Sequence, residues 1–193
     1  VQADIIAQGD FSSQIKLRSE KDRLGTAINN MTAMLHQNKE ESNHQNWLKD
    51  GVGQLNQNLS GDLEPRDLAN RAIGAIGRYL NAGRGVFYAL TEDGDRLSLL
   101  GSYMYTERES LSAEFRLGEG AVGQGALEKK PIALTHLRAD EAPITSGTAS
   151  GKPLYTYTIP LLQENELVGV IELAAFQPFD ELQREFLKEA SHA

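Results

Sequence analysis

Leu154-Tyr155-Thr156-Tyr157-Thr158-Ile159-Pro160-Leu161-Leu162 and Leu167-Val168-Gly169-Val170-Ile171-Glu172-Leu173-Ala174-Ala175-Phe176 decide the fold. Both runs are rich in β-branched and aromatic residues, and the turn Glu164-Asn165-Glu166 separates them, which predicts a β-hairpin. A second hairpin is predicted upstream, with strands Gly85–Leu90 and Arg96–Tyr105 joined around Asp93-Gly94. Between the two lie a strand-like Phe115-Arg116-Leu117, a short helix over Gly118–Lys130, a strand over Pro131–Leu137 and a loop over Arg138–Lys152 rich in Gly, Ser, Thr and Ala. Helices bracket the set. Glu64-Pro65 opens one, with Leu68, Ala72, Ile73, Ile76 and Leu80 on one face until Gly83. The last carries Phe179, Leu182, Phe186, Leu187 and Ala190 on its apolar side. Hairpins at both ends with helices around them predict an α+β domain on an antiparallel sheet.

The chain has 193 residues, room for one domain of about 100–150 residues plus a helical arm. No run approaches the roughly 18 apolar residues of a membrane span, and no signal peptide opens the sequence. Its abrupt start at Val1 and end at Ala193 read as a fragment of a longer polypeptide, expected to be soluble. A net charge of −8 argues against nucleic acid as a partner, because phosphate binding needs a basic face. The absence of cysteine excludes disulfides, cysteine-ligated zinc, iron–sulfur clusters, thiol catalysis and thioether-linked chromophores.

Upstream of the domain, Ile6-Ala7-Gln8-Gly9-Asp10-Phe11 reads as a helix end and a turn. An extended connector with Phe11, Ile15 and Leu17 follows, then a helix from Asp22 whose Leu24, Ile28, Met31 and Leu35 form a coiled-coil seam. His36–Asn46 is entirely polar. Leu48, Val52, Leu55 and Leu59 then resume the seam one residue early, a phase slip that overwinds a coiled coil locally. Either this is a solvated helical linker, or it is a weak joint between two registers. Gly51 and Gly53 loosen the second run by roughly 1 kcal/mol each relative to alanine.

Few residues carry chemistry. Gly118, Gly120 and Gly123 spell G-x-G-x-x-G, but Glu114 and Arg116 flank Phe115, so the strand before it lacks the buried character of a dinucleotide site, even with Asp140 near the expected acidic position. The turn reads as backbone geometry that needs glycine, or as amides at a helix start holding an anionic ligand group. Strand alternation predicts that Leu97, Leu99, Tyr103 and Tyr105 share one face and Tyr155 and Tyr157 another, as pocket walls or half-buried sheet residues. Glu172, inside an apolar run, must face a wet pocket or take a partner such as Arg84. His136 could serve as a metal or haem ligand, without supporting spacing; His36 and His44 are solvated in the linker, and His192 follows Ser191 in a weak echo of a phosphoacceptor box.

Two families resemble these segments. Gly9-Asp10-Phe11, Asp22-x-Leu24-Gly25 and Asn29-x-Met31 stand where a HAMP domain, the parallel helical relay of bacterial receptors, carries them, over residues 1–35. Gly118-Glu119-Gly120-Ala121-Val122-Gly123, Glu128-Lys129-Lys130-Pro131-Ile132, Pro160-Leu161 and Gly169-Val170-Ile171-Glu172-Leu173 resemble a GAF domain over residues 47–193, with 36–46 as a polar helical linker. The resemblance implies a six-stranded antiparallel sheet with helices behind and a ligand pocket in front, preceded by a long coiled-coil helix. It departs from the cyclic-nucleotide, bilin and methionine-sulfoxide-reducing members, whose signatures are missing. The implied protein is the sensory part of a membrane-anchored bacterial receptor on the cytoplasmic side of the inner membrane, a sensor histidine kinase first. It is a homodimer without a catalytic module of its own, coupled to an output domain and to an unidentified small ligand. Alternatives are a ligand-free dimerisation module, a diguanylate cyclase or chemoreceptor regulatory region, and a cofactor-binding redox sensor. No metal or cofactor is predicted. The candidate ligand-binding residues are Tyr103, Tyr105, Phe115, Gly120, Val122, Gly123, His136, Tyr155, Tyr157 and Glu172. The dimer seam is Leu24, Ile28, Met31, Leu35, Leu48, Val52, Leu55 and Leu59.

Overall fold

The computed structural model describes residues 11, 14–17, 19, 22–105, 113–135, 144–145 and 150–192. The Gly9-Asp10 turn, Asp140 and His136 lie outside the described residues. The chain divides into two compact units, Val1–Lys49 and Asp50–Ala193. Helix α1, Arg23–Leu59, runs unbroken across their boundary and through the polar stretch.

In the first unit the connector is fastened to the helix by side chains. The Asn29 amide acts twice on one residue: Ile15 N–H donates to Asn29 Oδ1 at 2.7 Å, and Asn29 Nδ2 donates to the Ile15 carbonyl at 3.0 Å. Asp22 starts the helix by accepting from Gly25 N–H at 2.9 Å. Lys39 Nζ stands 5.7 Å from the Phe11 ring centroid. Leu24 is 72% exposed and Met31 50% in the single chain, with Ile28 and Leu35 half-buried.

The second unit is built on a six-stranded, wholly antiparallel sheet of β1 (Arg84–Leu90), β2 (Arg96–Tyr103), β3 (Glu114–Arg116), β4 (Ile132–Thr135), β7 (Tyr155–Gln163) and β8 (Glu166–Ala175), in the order β3-β2-β1-β8-β7-β4. Both expected hairpins are present. Glu164 and Asn165 turn the β7–β8 hairpin with φ of 52° and 69°, the left-handed pair that matches strand twist. The loop expected over Arg138–Lys152 also contains a two-stranded piece, β5 (Ile144–Thr145) with β6 (Ser150–Gly151).

Both sheet faces are covered. On one, helix α2 (Pro65–Tyr79) approaches so closely that a Cβ on Gly101 would meet the Ala69 carbonyl carbon at 2.7 Å, and one on Gly85 would meet Ile73 at 2.8 Å. Proline at its start and a C-terminal turn with Asn81 left-handed, closed by Ala82 N–H to the Gly77 carbonyl at 2.8 Å, set the length of α2. Helix α4 (Glu181–Ala190) opens with a capping box between Asp180 and Gln183. Its Phe186, 1% exposed, packs against Tyr79 with ring centroids 4.9 Å apart and planes tilted by 46°, where the absent Cβ of Gly51 leaves room for both rings. The other face carries helix α3 (Gly120–Glu128), which packs on β7, β8 and β3.

Gly51, a loosening residue by helix propensity alone, is in the fold the seat of an aromatic contact. Leu55, assigned to a dimer seam, is 2% exposed within one chain, and Leu48 is 7% exposed. Neither needs a second chain for its burial, whereas Val52 and Leu59 stay half-buried. Phe186→Ala should cost about 3–5 kcal/mol and Asp180→Ala about 1 kcal/mol in urea-unfolding equilibria, the first by opening a cavity and the second by stripping a cap.

Candidate functional site

Strand pairing places the site. Val86 lies opposite Glu172, Tyr88 opposite Val170, and Thr158 opposite Glu172, so Arg84, Val86, Tyr88, Thr158 and Glu172 share the face that carries α3. Thr158 is fully buried, and its hydroxyl donates to Glu172 Oε2 at 2.9 Å. Arg84 is 8% exposed and Tyr88 2%. Burial pushes the Tyr88 phenol far above its usual range, and the charges of Glu172 and Tyr105 push it further. A carboxylate, a guanidinium and the Tyr88 phenol thus share one face of the central strands, where desolvation strengthens every polar interaction.

The rest of that face is filled. Tyr88 meets Phe115 edge-on at 5.3 Å, and Val86, Leu97, Val122, Ala126 and Val170 close the cluster. Phe115 and Val122 therefore serve as packing beside the polar groups. The glycine motif is a structural turn: Gly118 and Gly120 have φ of 86° and 61°, and a Cβ on Gly123 would lie 2.1 Å from the Arg116 carbonyl oxygen. Gly118 N–H donates to the Gly123 carbonyl at 2.7 Å, and the Glu119 carboxylate accepts from Arg116 N–H at 2.9 Å. Glu119 stands at the N-cap of α3, and its carboxylate is turned to the Arg116 amide and makes no cap bond to the helix.

The tyrosines expected in the pocket separate. An extra residue, Leu100, bulges β2 opposite Phe87/Tyr88, so Leu97 and Leu99 keep the α3 face while Tyr103 moves to the α2 face. There its ring fills the space beside Gly77 that a Cβ would occupy. Tyr103 and Tyr105 do not share a face: Met104, with φ of 51°, ends the strand between them, and Tyr105 acts on Tyr88 instead. Tyr155 and Tyr157 pair with Ala175 and Leu173 and pack edge-on against Phe179 at 5.5 and 6.2 Å, on the face opposite Glu172. Of the ten candidates, Glu172 and Tyr105 belong to the polar cluster. Tyr88 and Thr158 were missed, because a buried tyrosine and a strand threonine carry no signal until the register is known.

A groove of about 660 Å³ opens on the α2 face of this unit, lined by Leu55, Leu59, Leu68, Ala72, Ile76 and Phe87 among others. It holds no cluster of charge comparable to that around Glu172.

Residues 62–193 match the sequence profile of the GAF domain family. The chain belongs to the GAF domain family. No curated protein matches it. Solved structures share the GAF fold at low identity. The GAF domain of an Acinetobacter phosphoenolpyruvate-protein phosphotransferase superposes with a TM-score of 0.58 at 17% identity, over 76% of this chain and 87% of that one. The A. aeolicus nlh2 GAF domain, in an inactive state, gives 0.56 at 15%, over 76% and 91%. Free methionine-R-sulfoxide reductase from Neisseria meningitidis, in complex with its substrate, gives 0.59 at 14%, over 75% and 83%. A GAF domain is a small-ligand and signalling module, and a sensory role fits this chain.

Tyr88 makes the GAF domain sensitive to alkali. The folded phenol keeps its proton after the unfolded one has lost it, so its contribution is complete below about pH 10 and disappears as pH rises beyond, by up to about 1.4 kcal/mol per pH unit. Urea titrations from pH 8 to 12 should show that fall, and Tyr88→Phe should flatten it by about one proton's worth.

Proposed function

We propose that this chain is the sensory and relay part of a membrane-anchored bacterial receptor, a sensor histidine kinase first, in which a GAF ligand site biases the packing of parallel helices. In this reading the chain catalyses nothing itself and leaves output to a further module of the parent polypeptide, on the cytoplasmic side of the membrane. Among the described residues no helix is long and apolar enough to cross a membrane, so anchoring falls to other parts of the parent.

The observation that carries the reading is the unbroken helix Arg23–Leu59, whose last turns are built into the GAF core through Gly51 and Leu55. A movement of that helix must repack Tyr79 and Phe186, and Phe186 belongs to the last helix of the domain. Asn29 gives the HAMP-like Asn-x-Met motif a job, since it clasps the connector at Ile15. Leu24 and Met31 remain exposed on a polar helix, and a second copy supplies the apolar partner they lack. Leu24, Ile28, Met31 and Leu35 are therefore the seam of a homodimer.

The chain has no cysteine, so single introduced thiols report without background. Leu24→Cys, Ile28→Cys, Met31→Cys and Leu35→Cys should each give an oxidised dimer, with Ala33→Cys giving far less, and sedimentation should return twice the chain mass. A strict monomer, or equal cross-linking at Ala33, would rule out the parallel seam.

A further inference from the structure

We propose that the groove between the last turns of α1, α2 and α4 binds a small amphiphilic amine, its hydrocarbon body against Phe87 and Ile171 and its ammonium at Glu164. The inference goes beyond the reading of the chain as part of a receptor and does not depend on it. It begins with an anomaly in the sheet. β1 is a central strand, and Val86 and Tyr88 are buried, yet Phe87 between them is only half-buried. Phe87 lines the α2 side, where a groove of about 660 Å³ interrupts the helical layer. That volume lies within the roughly 300–1,000 Å³ of small-molecule pockets.

The shape favours a small molecule over a second protein. A stable interface between proteins takes about 800 Å² of surface from each partner. Around this groove Leu55, Ala72, Ile76, Ile171 and Ala190 are already buried, so they present a hollow in place of an open surface. Among the described large apolar residues that line it, only Leu68, 39% exposed, and Val168, 44% exposed, stand open to solvent. Two such side chains fall far short of a protein interface. A hydrocarbon chain or a single aromatic ring entering the hollow meets apolar walls from the helices and from the sheet, and leaves water behind.

Charge selects the head group. The polar lining comes from Gln163 and Glu164 at the β7–β8 turn and from Ser191 and His192 beyond α4. Glu164 is the one carboxylate among them. The Ser191 hydroxyl donates to the Lys188 carbonyl at 2.7 Å, which leaves it only lone pairs to offer. The end of α4 adds the partial negative charge of a helix C-terminus. Gln163 and His192 can each accept as well as donate. No lysine or arginine lines the groove among the described residues. A carboxylate head finds no such cation there, whereas an ammonium finds several acceptors.

The test is isothermal titration calorimetry of the whole chain with octylamine, octanol and octanoate, and with tryptamine, tryptophol and indole propionate. Each set shares one apolar body and varies the head. The amine of at least one set should bind at least tenfold more tightly than its carboxylate, with the alcohol between them. Val168→Trp, which narrows the groove at an exposed position, should weaken that amine at least tenfold with an unchanged circular dichroism spectrum. Glu164→Gln should bring the amine to the level of the alcohol. Carboxylate binding as tight as amine binding overturns the proposal. Binding by neither set overturns it, and so does amine binding indifferent to Val168→Trp. Leu68→Asp should leave the sedimentation mass unchanged; a fall to half would put a second copy in the groove and overturn the proposal as well. The matched heads decide the matter on the unaltered chain, whatever the variants do to the fold. None of these outcomes bears on cross-linking along Leu24–Leu35, so the relay reading stands or falls separately.

Discussion

The central strands β1 and β8, packed against helices on both faces, leave little solvent side to which a misplaced residue can retreat, so strand parity governs the middle of the sheet. β1 shows it most clearly. Arg84, Val86 and Tyr88 point to the face that carries α3, while Gly85 and Phe87 point to the face that carries α2. A shift of one residue would bring Arg84 against Ile73 and Gly85 against Glu172, leaving a buried guanidinium in an apolar layer. The desolvation of such a charge costs several kcal/mol. The pairing of β1 with β8 is therefore pinned by its least apolar members.

Two bulges complicate that parity, and they mark the limit of what was legible in the sequence. Element types and order were readable, because hairpin turns at Asp93-Gly94 and Glu164-Asn165, proline at the start of α2 and the apolar stripe of α4 are local signals. Faces were not. Counting back from the turn at Glu164-Asn165, which pairs Gln163 with Glu166, unbroken pairing would set Tyr157 opposite Glu172. The irregularity between Leu161 and Leu162 moves the pairing by one, so that Thr158 takes that place and both tyrosines turn to the helices. Leu100 does the same to Tyr103. No composition signal announces an extra residue in a strand, and the result is a candidate site whose carboxylate was identified and whose neighbours were assigned to the wrong face.

The helix of α1 was legible, and what covers its apolar stripe was not. Spacings of four and three describe a stripe, and they do not say what covers it. Upstream the stripe stays open at Leu24 and Met31; downstream Leu55 is covered within its own chain. The glycine that looked like a weakness supplies the difference, because Gly51 lets Tyr79 and Phe186 close on the helix where any side chain would hold them off.

The thickness of one strand then separates the polar site from the helices. Glu172 and Arg84 lie on one side of the β1–β8 pair, and Ile171, Leu173, Gly85 and Phe87 on the other; Phe87 lines the same groove as Leu55 and the end of α4. Packed interiors are nearly incompressible, so a change in how β1 sits against β8 cannot be absorbed within the sheet and must appear in the layer behind it. A ligand that binds one packing tenfold better than another supplies about 1.4 kcal/mol toward it. That is small beside the about 3–5 kcal/mol that removing a buried phenylalanine ring costs. In the proposed sensory role a ligand would therefore work by selecting between helix packings of similar free energy, and its effect would depend on how nearly those packings were balanced before it bound.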